Sequence, residues 1–427
     1  MNQSTRRPLI ESLPPEIVLY IAKFAGLFRS EVFESFFYLF LGVLVGEAKH
    51  GTVRASVFAP ADYLPQRLSD LFSRHKLSHQ AFMAKMVEAV LSYIYPSELP
   101  ERLFWIADSS HTEKPHSKKV ASLGWFHRTK KVDGRGKNLK GHCYVFAAHL
   151  YQQTAGKVTS WASVLVGAML YVKGRTIPEL TVELAKQLRL PEGLKNCWIV
   201  DRGILSRGLL RGLGELKQYV IGRARRNQVV YFAPEQAQTG GRQRIYGEKC
   251  RIDELRERFP ERLRKQKMKL TVWGKRHQVE VYSAEILLRG VWRGRAHRVR
   301  IIIVVVPGLP LDPWYLLATD LGLDPGEAVN AYDGRYQIEV NMDEVKELGL
   351  GHYQGRSAQG VRRWPLFLCA AQTLLKLIAT GMLPVEMPTL NWSWYKREDT
   401  VGQVRRRLID LCRPRLSRTK EATATPK

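Results

Sequence analysis

From Arg102 onward the chain is punctuated by short, nearly continuous apolar runs, and this pattern limits the available folds more than any other feature. LFWIAD (103–108), HCYVFAAHLY (142–151), WASVLVGAMLYV (161–172), CWIVD (197–201) and QYVIG (218–222) lack the alternation of one-sided strands. Such runs belong to strands covered on both faces, which calls for a sheet with helices packed on each side. A helical stretch, TIPELTVELAKQLRL (176–190), separates the third run from the fourth, and a second helix, capped by Ser206, separates the fourth from the fifth. The order three strands, helix, strand, helix, strand predicts an α/β domain with a mixed sheet flanked by helices.

Two of these runs finish with an aspartate, Asp108 and Asp201. In open α/β sheets the working groups stand just beyond the carboxyl ends of strands, although a lone strand-terminal Asp is more often a turn or cap residue. A sharper element follows in AYDGRYQIEVNMDEVKELG (331–349). Read as one helix, it gathers Tyr332, Arg335, Glu339 and Lys346 into a stripe about 60° wide. An acid, two cations and a phenol on one stripe make a poor core face and a good face for a phosphodiester beside a metal. The bland alternative is a solvated helix with ion pairs among Asp343, Glu344 and Lys346.

Charge narrows the partner. The chain of 427 residues holds 67 Lys and Arg against 40 Asp and Glu, a net +27. Residues 1–100 carry only +1 of it, and residues 221–300 carry +13. A surplus of this size calls for a polyanion, nucleic acid before membrane, because no apolar run approaches the length of a membrane span. The longest, SFFYLFLGVLVG (35–46), reads as a buried helix. Five scattered cysteines, with no CxxC pair, argue against structural zinc or a disulfide framework and fit a reducing cytoplasm.

The same patterns divide the chain. Residues 1–100 read as a helical N-terminal domain, with helices over Glu16–Phe28 and Ser78–Tyr95, the second capped by Ser78. Residues 101–222 are the first part of the α/β core, 223–308 a basic β-rich insertion, and 309–385 the second part of the core with the Glu339 helix and an apolar helix near Trp364–Ile378. Residues 386–427 form a basic segment ending in a frayed tail. Between Lys118 and Lys140 eight cations, among them Lys130, Lys131 and Lys137, face one acid, Asp133, and suggest a loop that lies along DNA.

The spacing Tyr-x2-Arg-x3-Glu-x6-Lys, placed after two strand-terminal aspartates, resembles the signature of bacterial insertion-sequence transposases of the DDE type. The resemblance covers most of residues 100–385, and the strand and helix order is that of a ribonuclease H-like fold. It implies a catalytic and metal-binding triad of Asp108, Asp201 and Glu339 holding two Mg²⁺ or Mn²⁺ ions, with Tyr332, Arg335 and Lys346 gripping phosphates. Trp314 is similar to a family tryptophan that stacks on a flipped base, against a second reading as a core indole beside Tyr315 and Leu316. The implied activity is cut-and-paste transposition. Its implied partners are double-stranded DNA, both terminal inverted repeats and target, and a second copy of the chain, in a prokaryotic cytoplasm with no membrane role. A ribonuclease H-like nuclease or resolvase, and an inactive DNA-binding relative, remain as alternatives.

Overall fold

The computed structural model describes residues 13–46, 65–127, 138–155, 158–234, 244–272, 274–387 and 400–423. The N-terminal part is helical: α1 (Pro15–Ala22), α2 (Ser30–Val45), α3 (Pro65–Ser73) and α4 (His79–Ile94). Ser78 caps α4, its hydroxyl accepting from the Ala81 N–H at 3.2 Å and so satisfying an otherwise orphaned donor. The first helix stops at Ala22, short of the expected Phe28, and a 3-10 turn covers Ala25–Leu27. In α2 every residue from Ser35 to Val45 is buried, as its apolar sequence requires.

The apolar runs form the strands β1 (Arg102–Glu113), β2 (Gly124–His127), β3 (Asn138–Ala155), β4 (Val158–Leu170), β5 (Lys195–Val200) and β6 (Tyr219–Arg223). Helix α5 (Ile177–Gln187) begins at a capping box between Thr176 and Glu179, and α6 (Arg207–Glu215) begins at Ser206, whose hydroxyl accepts from Leu209 N–H. Neighbouring strands run β4-β3-β1-β5-β6; β1, β3 and β4 pair antiparallel, whereas β1, β5 and β6 are parallel. The chain is therefore an α/β protein with a mixed sheet.

The basic stretch supplies β7 (Val229–Tyr231), β8 (Lys249–Arg251), a short helix α7 (Leu255–Arg258), β9 (Arg264–Val272), β10 (Lys275–Trp292) and β11 (Arg295–Val305), and β12 (Trp314–Ala318) follows. These strands do not build a second sheet. Strand β12 pairs antiparallel with both β6 and β11, so that twelve strands, counted among the described residues, form one continuous sheet.

Past β12 the expected single helical stretch is broken into α8 (Pro325–Asp333), a 3-10 turn (Gly334–Tyr336) and α9 (Gln337–Glu347). The break falls where Gly334 lies hard against the sheet: a Cβ there would come within 2.9 Å of Trp161. Helix α10 (Ala358–Ala379) then crosses the sheet, its Thr373 hydroxyl donating to Leu165 O. The N-terminal helices wrap this helix. Phe36 and Phe82 both meet Phe367, and Tyr20 donates to Ala370 O at 2.9 Å. Helical segment and sheet thus share one apolar core.

The C-terminal stretch, expected to fray, contains helix α11 (Val401–Thr423) instead. Its Val401, Val404, Leu408 and Cys412 recur at three and four and are buried, an apolar seam that the surrounding arginines mask in the sequence. Arg405 donates to Leu44 O and Gly46 O, capping the carboxyl end of α2. Among the described residues no helix is long and apolar enough to cross a membrane.

Candidate active site

Parallel pairing puts the two aspartates side by side. The register aligns Ala107 of β1 with Val200 of β5, and the next residue on each chain is Asp108 or Asp201. Asp108 does not end its strand, as its sequence suggests. Strand β1 runs on to Glu113 because β3 keeps pairing with it, Asp108 opposite Phe146 and Glu113 opposite Gly141, after β5 has stopped. Only the parallel ladder ends there, which opens a notch beside Asp108. Asp201 begins the following turn, its Oδ1 accepting from Ile204 N–H at 2.9 Å.

Alternate residues of β1 share a face, so Asp108 lies on the side of Phe104, whose ring meets Trp161 at 5.9 Å. Trp161 also touches Gly334, and the 3-10 turn and α9 therefore overhang Asp108. From that turn Arg335 donates through Nη1 to Asp108 Oδ2 at 2.8 Å and through Nη2 to Glu339 Oε1 at 2.6 Å. Two acids more than two hundred residues apart in sequence are thereby joined by one guanidinium. The Asp108 and Arg335 side chains are 17% and 18% exposed, whereas Glu339 is 55% exposed.

Burial pushes the Asp108 carboxyl up to about 6. The Arg335 charge and the Ser109 N–H, which donates to its Oδ1 at 2.7 Å, pull against this, while Asp201 and Glu339 add to it. Asp108 therefore feels both other acids. Among the described residues, no group of three or more His, Cys, Asp or Glu side chains is arranged as a ready metal cage. Asp108 and Glu339 meet on a guanidinium, with Asp201 on the adjacent strand end. In kind, carboxylate oxygens whose mutual repulsion lacks a full counter-charge suit a hard divalent cation.

The remaining predicted residues divide. Tyr332 is buried, yet its phenol lies within reach of Arg335, Arg223 and Asp201: burial raises its pKa, the two cations oppose the rise and Asp201 adds to it. Trp314 is 5% exposed, its ring edge-on to Tyr332 at 5.4 Å, so it is the core indole of the two readings and offers no free face to a base in this conformation. Lys346, on the same helix as Glu339, is in an ion pair with Asp343 at 2.9 Å. Lys130, Lys131 and Lys137 lie outside the described residues; the nearby Trp125 of β2 is 71% exposed.

Arg223 escaped the sequence reading. It closes β6 beside the Asp201 end of β5, and the signal was present, a cation directly after the run QYVIG. A cleft of about 1170 Å³ lies on the other flank of α9, where Tyr336, Gln337 and Val340 face Trp161, Lys269 and Arg276. Comparison with protein-family models finds none that matches this chain, and comparison with curated proteins finds no match either.

Proposed function

We propose that the chain is a metal-dependent DNA-cleaving and strand-joining enzyme, a transposase of the DDE type on a ribonuclease H-like core, with Asp108, Asp201 and Glu339 as its acids. The observation that carries this reading is the meeting of Asp108 and Glu339 on Arg335, with Asp201 on the adjacent strand end. The strand order β4-β3-β1-β5-β6, antiparallel for the first three and parallel for the rest, supports the ribonuclease H-like assignment. The net charge of +27 supports a polyanionic substrate.

When bound, two Mg²⁺ or Mn²⁺ ions supply Lewis acidity and a nucleophile at neutral pH for in-line displacement at phosphorus. Asp108, Asp201 and Glu339 would hold them. Arg335 has the fork geometry to grip a phosphate oxygen pair, with the Tyr332 hydroxyl beside it and Arg223 at the end of β6 acting on the same phenol. DNA ends and target would lie over the basic surface, with a second copy of the chain bringing the other end.

The test is Mg²⁺-dependent nicking and joining of a labelled duplex cut from the flanks of the gene, run beside a gel-shift titration. Glu339→Gln keeps volume and place but removes a ligand charge, so cleavage falls by several orders of magnitude, at about 1.4 kcal/mol per tenfold, while binding holds or tightens. Nicking equal to that of the parent chain sinks the assignment. Cleavage without a joined product makes the protein a nuclease of the same fold.

A further inference from the structure

We propose that Arg335 is an internal counter-ion that keeps the acid cluster closed to metal, so that a divalent cation enters only as the guanidinium leaves. The inference rests on the assignment of Asp108 and Glu339 as metal ligands. Its premise is the pair of short contacts: Asp108 Oδ2 and Glu339 Oε1 both accept from Arg335. The second oxygen of Asp108 accepts from Ser109 N–H. A dication approaching Asp108 therefore meets the Arg335 charge already in contact with the carboxylate, which repels it.

The two halves of the bridge differ in strength. The contact with Asp108 is shielded, and shielded charges attract one another more strongly than exposed ones. The contact with Glu339 is more than half open to water and is screened accordingly. Exchange therefore starts at Glu339. Arg335 cannot simply depart, because that would strand a desolvated carboxylate beside Asp201 with no cation. Its release and the arrival of a dication are linked steps. A phosphate is the natural acceptor of the freed fork, which makes metal affinity and phosphate affinity reciprocal. A lysine in this position holds a point charge and can bridge the acids less well.

The experiment counts Mn²⁺ bound by the full-length chain without DNA, from the electron paramagnetic resonance of the free ion. Arg335→Gln should bind Mn²⁺ roughly tenfold tighter than the parent chain, with Arg335→Lys intermediate. Adding Asp108→Asn to Arg335→Gln should remove the gain. Equal affinity in parent and Arg335→Gln, both lost with Asp108→Asn, overturns the counter-ion role and leaves the metal site standing. No specific binding by any variant overturns both. The lysine variant, which keeps the charge, reads the same difference if the glutamine variant fails to fold.

Discussion

Burial in the sheet raises the Asp108 carboxyl, and imidazoles of the same molecule respond to burial in the opposite sense. His149 is fully buried, with Nδ1 against Phe104 O and Nε2 against the Tyr95 hydroxyl, and burial lowers its pKa to about 3; His79 falls to about 4 for the same first reason. A folded-state pKa below the unfolded value of about 6.5 gives stability that is present above that value and is lost as pH falls towards 3. Each such histidine steepens the loss by about 1.4 kcal/mol per pH unit. Urea titrations of the parent chain and of His149→Gln, taken from pH ~7 to ~5, should show the shallower acid limb in the variant. Parallel limbs would assign the acid sensitivity elsewhere. Residues of this kind are poorly legible in a sequence. Asp108 and Asp201 announce themselves by ending apolar runs, but the burial of Trp314 depends on Tyr332, whose ring reaches it from another element.

Among the elements, those governed by local chemistry could be read directly. The caps at Ser78 and Ser206 and the continuous apolar strands follow from side chains within a few residues of one another. The break between α8 and α9 could not be read, because its cause is the close approach of Gly334 to Trp161, far away in the chain. The pairing of β12 with β6 was equally hidden, since alternation identifies a strand and not its neighbour. One helix end is satisfied by a distant side chain: Arg363 of α10 donates to Leu71 O at 2.8 Å and to His75 O at 2.6 Å, at the carboxyl end of α3. Arg363→Leu leaves those carbonyls unpaired at a cost of about 1–3 kcal/mol each. The expected readout is faster amide exchange confined to residues 65–75. Uniform protection across the variant would show that α3 is held by its aromatic contacts alone.

For the whole molecule the excess of positive charge sets the ionic response. Alternate residues of β9 share a face, and of its three lysines Lys265 is engaged by Glu280 at 2.8 Å, whereas Lys267 and Lys269 are exposed. Each phosphate contact adds about 0.9 to the slope of log affinity against log salt. Replacing Lys267 and Lys269 with alanine should lower that slope by about two in a filter-binding titration. An unchanged slope removes this face from the DNA path of the proposed function. The helical N-terminal segment belongs to the same whole, since Phe36, Phe82 and Tyr20 pack on α10. A chain lacking residues 1–100 should therefore expose that helix and be recovered as aggregate, where an independent end-binding domain would leave a soluble remainder.

The continuity of the sheet also sets a schedule. Strand β6 finds its antiparallel neighbour only when β12 has been made, after residues 224–313 have folded back on themselves, and such distant pairings close slowly. Until then the parallel strands end in an open edge able to capture other chains. Nascent chains halted before Trp314 should therefore pellet more readily than those halted after Ala379, in which β12 covers that edge and α10 covers the apolar helices. Glu339 is translated later still, so Asp108 and Asp201 stand adjacent for an interval without the third acid. A chain halted before Arg335 therefore lacks the guanidinium that joins Asp108 to Glu339.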